Sequence, residues 1–212
     1  MAVIRRSLLA LVLGMTVVAM FVACAEETRV EQLSGIWSGE SALEARRYHD
    51  LDSMTQGAGV VVVGDVVDVT IFRRYGPVGG QVTSAAITLG ISQVISNQLV
   101  KEIRPGDRLV IEFPAGDEDR VETIRNAMEG ATGLWFLANQ EREWLRQGAS
   151  ADVAAEYVDL YILVSTQGFV LDDDGRAVAV WVDPDELPEL AREITDRRFE
   201  ELTAEVVELA KK

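Results

Sequence analysis

Site chemistry needs particular side chains at particular spacings, and this chain of 212 residues offers few of them. Its one histidine, His49, sits beside Asp50 and near Asp52, either of which could orient an imidazole. A histidine-assisted hydrolase also needs a nucleophile on a strained turn, and no Gly-x-Ser-x-Gly run occurs. One histidine and one cysteine fall short of a zinc ligand set, so no metal and no cofactor is expected. Asp172-Asp173-Asp174-Gly175 has the acid density of a calcium loop, but the twelfth position counted from Asp172 is Asp183, where an EF-hand carries glutamate. A hairpin turn explains that run with fewer requirements. Gly57, Gly59 and Gly64 miss the spacing of a phosphate-cradling loop, which argues against a nucleotide site. What remains is Arg73-Arg74-Tyr75, a cationic and aromatic cluster followed by a glycine-rich stretch and set in an acidic chain. These three residues are the candidate ligand-binding group. No catalytic residue stands out, and the chain reads as a non-enzyme.

The second kind of chemistry is covalent. Arg5 and Arg6 precede an uncharged apolar run that ends at Cys24-Ala25 before Glu26 and Glu27, the layout of a signal peptide over residues 1–23. The run is marginal for a spanning helix, which needs about 20 apolar residues. Phe21-Val22-Ala23-Cys24 resembles the bacterial lipobox, with Phe21 in place of its usual leucine; in that motif the cysteine thiol accepts a diacylglyceryl group and becomes the new N-terminus. Ala23-Cys24-Ala25 is also an A-x-A site, at which cleavage would fall before Glu26. Cys24 has no second cysteine with which to pair, and lipidation gives an odd thiol in an exported protein a purpose. The expectation is a protein held at the membrane by a lipid anchor on Cys24, on the extracytoplasmic face, with free secretion as the alternative.

Charge narrows the partners. The chain carries 35 acidic against 20 basic residues, a net charge of −15 that deepens to −17 if residues 1–23 are removed. Such a surface is repelled by phosphate backbones, so nucleic acid is excluded as a partner. An envelope protein or a glycan stays in play.

The elements that must position these residues follow from hydrophobic period. Residues 24–45 are small and polar, a flexible tether, with Trp37 as its one large side chain. Tyr48, Leu51 and Met54 suggest a short helix stopped at Gly57. Residues 60–72 form a β-branched first strand in which Gly64 predicts a bulge or bend. Ile87, Leu89 and Ile91 alternate with polar residues in a second strand that runs toward Val100. Pro105-Gly106-Asp107 is a turn, and Leu109, Ile111 and Phe113 mark one face of a third strand ended at Pro114. Val121, Ile124 and Met128 predict a helix, residues 133–138 a buried fourth strand, and residues 139–159 a helical segment. Residues 160–171 read as one fifth strand, returning through Asp174-Gly175 into a sixth. Asp183-Pro184-Asp185-Glu186 is a capping box opening a C-terminal helix over 184–212, with Leu187, Leu190, Ile194, Phe199, Leu202, Val206 and Leu209 as its stripe.

Strand order β-β-β-α-β-α-β-β with a bent first strand is the order of an OB-type barrel. The runs around Val62–Val66, Pro105–Asp107, Leu134–Leu137 and Gly168–Leu171 before Asp174-Gly175 resemble a group of uncharacterised exported bacterial proteins with small OB-like or netrin-like barrels. The resemblance covers roughly Tyr48 to Val182 and implies an α+β, mainly β, barrel and no activity; the barrel domain is expected over residues 46–183. Residues 139–159 and the C-terminal helix lie outside its pattern. On an OB-like barrel the first hairpin loop often meets ligands, which again points to Arg73, Arg74 and Tyr75. The function that follows is a lipid-anchored, non-enzymatic binding module of the cell envelope. Two other classes stand beside it: a hydrolase of wall polymers built on a carboxylate pair, and a structural subunit docking through its C-terminal stripe.

Overall fold

The computed structural model describes residues 28, 29, 32, 48–77, 80–165, 167–180, 189–195 and 197–212. The signal peptide expected over residues 1–23, Cys24, Trp37 and the capping box expected at 183–186 lie outside the described residues. Helix α1 (Leu51–Gly57) is followed by β1 (Val60–Tyr75), β2 (Val82–Asn97) and β3 (Arg108–Gly116). Helix α2 (Glu118–Met128), β4 (Thr132–Asn139), α3 (Gln140–Arg146), α4 (Ala151–Ala155) and β5 (Leu160–Leu163) come next. Then follow β6 (Phe169–Asp173), β7 (Arg176–Ala179), α5 (Glu189–Ile194) and α6 (Phe199–Leu209).

Five strands close an OB-like barrel in the order β1-β2-β3-β5-β4, with β4 returning to β1. All its pairs are antiparallel except β3 with β5, where Ile111 faces Tyr161. Closure requires β1 to serve two neighbours along its first half. It does so by curling, with register shifts at Val61/Val62, Val63/Gly64, Val66/Asp68 and Ile71/Arg73. Gly64 is needed at one of them because a Cβ there would sit 2.9 Å from the Gly90 carbonyl oxygen. The bulge expected at Gly64 is present, and it has companions.

The barrel has an apolar side chain packed on both of its surfaces. Val60, Val62, Ile87, Ile111, Phe113, Trp135 and Tyr161 fill the interior, and Val121, Ile124 and Met128 of α2 plug one end. Helix α2 starts where Asp117 accepts a hydrogen bond from the Arg120 amide at 2.8 Å, an N-cap of the usual kind. On the outer surface, Val61, Val63, Leu134 and Phe136 pack under α1, α5 and α6. Strands buried on two faces cannot alternate, which is why residues 60–63 are four valines in a row.

Three expectations are corrected. The run 160–171 is two strands rather than one: β5 ends at Leu163, and the chain turns through Ser165 and Gln167 before β6 joins β4 on the same edge. The turn is held by Ser165, whose hydroxyl accepts from the Gln167 amide at 3.1 Å. The C-terminal helix is also two, α5 and α6. Between them the backbone leaves the helix to pair with β7: the Ala177 amide donates to the Arg197 carbonyl at 2.8 Å, and Phe199 donates to Gly175 at 2.9 Å. Finally, β1 and β3 run past their expected ends, to Tyr75 and Gly116. Pro114 is tolerated in β3 because it faces the irregular step between Thr83 and Ser84.

Helix α6 turns Phe199, Leu202 and Val206 onto its own domain. Each buried side chain of that size contributes about 1.5–3 kcal/mol. The Asp174-Gly175 hairpin is a two-residue turn with both residues at positive φ, 51° and 84°. Asp172 accepts from the Gly175 amide at 2.8 Å, so that carboxylate serves the turn.

Candidate functional site

Because β1 continues to Tyr75, the Arg73-Arg74-Tyr75 group stands on the strand itself and not in the loop after it. Pairing with Ser84, Thr83 and Val82 of β2 fixes its three backbones, so the side chains are presented from a rigid ladder. The group then splits. Arg74 pairs with Glu118 at the start of α2, an exposed contact. Arg73 and Tyr75 turn toward a cluster built around Glu112.

Glu112 lies on β3 and points outward, since its neighbours Ile111 and Phe113 fill the barrel. It is nevertheless only 8% exposed. The reason is the 139–159 insertion, whose first helix brings Gln140 down onto it. One carboxylate oxygen of Glu112 accepts from the Tyr75 hydroxyl and from Ser84 Oγ, the latter at 2.8 Å; the other accepts from Gln140 Nε2 at 2.8 Å. Three donors from β1, β2 and α3 converge on one acceptor of β3. A buried carboxylate requires that kind of satisfaction.

Tyr75 shows the effect. Partial burial, and after it the hydrogen bond to Glu112, pushes the phenol up to about 12. Arg73 is half-buried with its guanidinium 4.6 Å above the Phe72 ring and 4.6 Å from the Tyr157 ring. Burial works against its charge, but Glu112, Tyr75 and Tyr157 outweigh it, so its pKa is raised. Tyr157 in turn meets Trp144 of α3, ring centres 5.4 Å apart and tilted by 43°. The result is a ridge, Arg73–Tyr157–Trp144, whose last member is 38% exposed.

The insertion is anchored as firmly as the strand. Asn139 accepts from the Arg142 amide at 3.2 Å to cap α3, and its Nδ2 donates to the Val158 carbonyl at 2.8 Å, tying both ends of the insertion together. Lys101 of the β2–β3 connection pairs with Asp159 at its far end.

Ser84 beside Glu112 has the outline of a hydroxyl and its base. Ser84 is 3% exposed, and every acceptor position it meets is shared with Tyr75. The cluster is built to hold four elements in register, with Ser84 and Glu112 turned away from solvent. Chemically it offers a fixed cation, two aromatic rings in tilted contact and a polar rim, which suits recognition of a polar, ring-bearing ligand. His49 is exposed at the start of α1, and no group of three or more metal-ligating side chains forms among the described residues.

Sequence reasoning reached Arg73 and Tyr75 and missed Glu112, Ser84, Gln140, Trp144 and Tyr157. Alternation with Leu109, Ile111 and Phe113 puts Glu112 on the opposite face of its strand, where an acid is unremarkable. Only the folding of residues 139–159 back over that face buries it.

No protein-family model matches the chain, and no curated protein matches it.

Proposed function

We propose that this protein is a lipid-anchored, extracytoplasmic binding module without catalytic activity, and that its ligand face is the ridge where β1 meets the 139–159 insertion. One observation carries the reading: a buried carboxylate, Glu112, is used to lock Tyr75, Ser84 and Gln140 together while the aromatic and cationic side chains beside it face outward. On OB-type barrels the first hairpin and the connection between the fourth and fifth strands flank the ligand face. Tyr75 and the insertion occupy those two positions here. The ligand class that fits is a neutral glycan, whose apolar ring face stacks on Trp144 and whose hydroxyls meet Arg73 and the polar rim. The anchor rests on Arg5, Arg6, the apolar run and Cys24 in its lipobox context.

Two measurements test the two halves. Intact mass and membrane partitioning of the protein made in a bacterial host, beside Cys24→Ala, should show acyl chains on the wild type alone; a mature chain beginning at Glu26 refutes the anchor. Co-sedimentation with insoluble envelope polysaccharide should be lost in Trp144→Ala and Arg73→Ala at unchanged Tm. Binding by neither wild type nor variants removes the glycan reading.

A further inference from the structure

Helix α3 carries a second equipped face. By the 3.6-residue period, Arg142 and Arg146 stand one turn apart, away from Gln140 and Trp144. Both line a cavity of about 330 Å³ whose other walls include the chain from Gly57 to Gly59 and, just past the end of β2, Gln98 and Leu99. That volume lies at the lower end of the range for small-molecule sites.

Of the two cations, Arg142 is partnered unlike many others on this chain. Elsewhere on this acidic chain, cations such as Arg104, Arg125, Arg197 and Lys211 are matched to a carboxylate. Arg142 gives one N–H to the Gln98 carbonyl at 3.3 Å and has no carboxylate partner among the described residues. Arg146 sends Nε and Nη2 to a single oxygen of Glu143, at 3.0 and 2.5 Å. Two guanidinium groups thus border one concavity with one carboxylate between them. Like charges one turn apart disfavour a helix, and an oxyanion placed between them reverses the sign. Gln98 and the apolar Leu99 add a polar and a greasy wall.

We propose that this cavity is an anion site, distinct from the aromatic ridge, for a small molecule of monosaccharide size bearing a carboxylate or phosphate. Arg142 and Arg146 hold the anionic group. The arriving anion competes with Glu143 for Arg146, whose own side chain is 56% exposed and open to it.

The test is calorimetric titration of the full chain with inorganic phosphate, glycerol 3-phosphate, glucuronate and, as neutral control, glucose. At least one charged probe should bind saturably with a Kd in the millimolar range, and glucose should not. Phosphate binding as well as glycerol 3-phosphate points to the free anion; glycerol 3-phosphate alone points to a lipid headgroup, and glucuronate alone to an acidic sugar. Arg142→Gln and Arg146→Gln should each weaken binding about 10-fold, while Trp144→Phe leaves it unchanged. Glu143→Gln, which frees Arg146, should tighten it, and this variant decides the matter should an arginine variant fold poorly. The proposal is overturned if no charged probe saturates, if binding survives both arginine substitutions, or if Glu143→Gln weakens it.

Discussion

Replacing Glu112 by alanine should be among the most damaging single changes outside the apolar core. The substitution strips the acceptor from three donors at once. Ser84 and Gln140, 3% and 6% exposed, cannot turn to water, whereas Tyr75, 44% exposed, can. Each buried donor left without a partner costs about 1–3 kcal/mol, and the Tyr75 bond adds about 1 kcal/mol or less because solvent replaces it. The parts share one acceptor and do not add fully, so a loss of about 3–4 kcal/mol is expected. With a urea m-value of about 2 kcal/mol/M, the unfolding midpoint should fall by about 1.5–2 M. Amide exchange should locate the damage, with protection falling first across residues 139–159, because Gln140 is the bond that seats the insertion on β3. A double-mutant cycle with Gln140→Ala should return a coupling of about 1–2 kcal/mol. A midpoint shift below about 0.3 M, or an insertion whose exchange is unchanged, would refute the argument that Glu112 organises this face.

Other consequences follow from the same structure. Gly133→Ala should destabilise by about 1–3 kcal/mol in thermal melts, since the new Cβ would lie 2.2 Å from Phe169 Cε2 and 2.9 Å from the Val170 carbonyl oxygen. Phe169 cannot step aside, being stacked on Trp135 at 3.9 Å. Gly175→Ala should cost about 1 kcal/mol because φ at that position is 84°, read as a lowered Tm with the fold intact. The Tyr75 phenol, raised to about 12, favours the fold in its neutral form: its contribution is complete below pH 10 and is lost as pH rises toward 12. Burial raises the Tyr161 phenol as well, so absorbance titration should find two late phenols, one of which is missing in Tyr75→Phe; that variant should lose stability less steeply over pH 10–12, by less than about 1 kcal/mol after solvent screening. Leu202→Ala should lower stability by about 2–5 kcal/mol in urea unfolding, since α6 is part of the domain's second core; a near-neutral result would contradict that packing.

Local signals determined much of this protein. Strand period in residues 60–72 and 108–113, the turns at Gly106 and Asp174-Gly175, and the helical spacing of Val121, Ile124 and Met128 each depend on neighbours within a few residues, so the element order and the barrel class were legible in the sequence. So were Arg73 and Tyr75, as a cation and an aromatic ring out of keeping with an acidic chain. Tertiary structure alone decided where strands and helices were interrupted, because those breaks serve distant partners: β5 gives way so that β6 can reach β4, and α5 stops so that Arg197 can bond β7. It also decided the site. Glu112 and Gln140 are 28 residues apart, and Ser84 is another 28 away on the other side. Nothing in the period of β3 tells an outward acid facing water from one roofed by an insertion. That difference is a matter of desolvation, and desolvation belongs to the assembled fold.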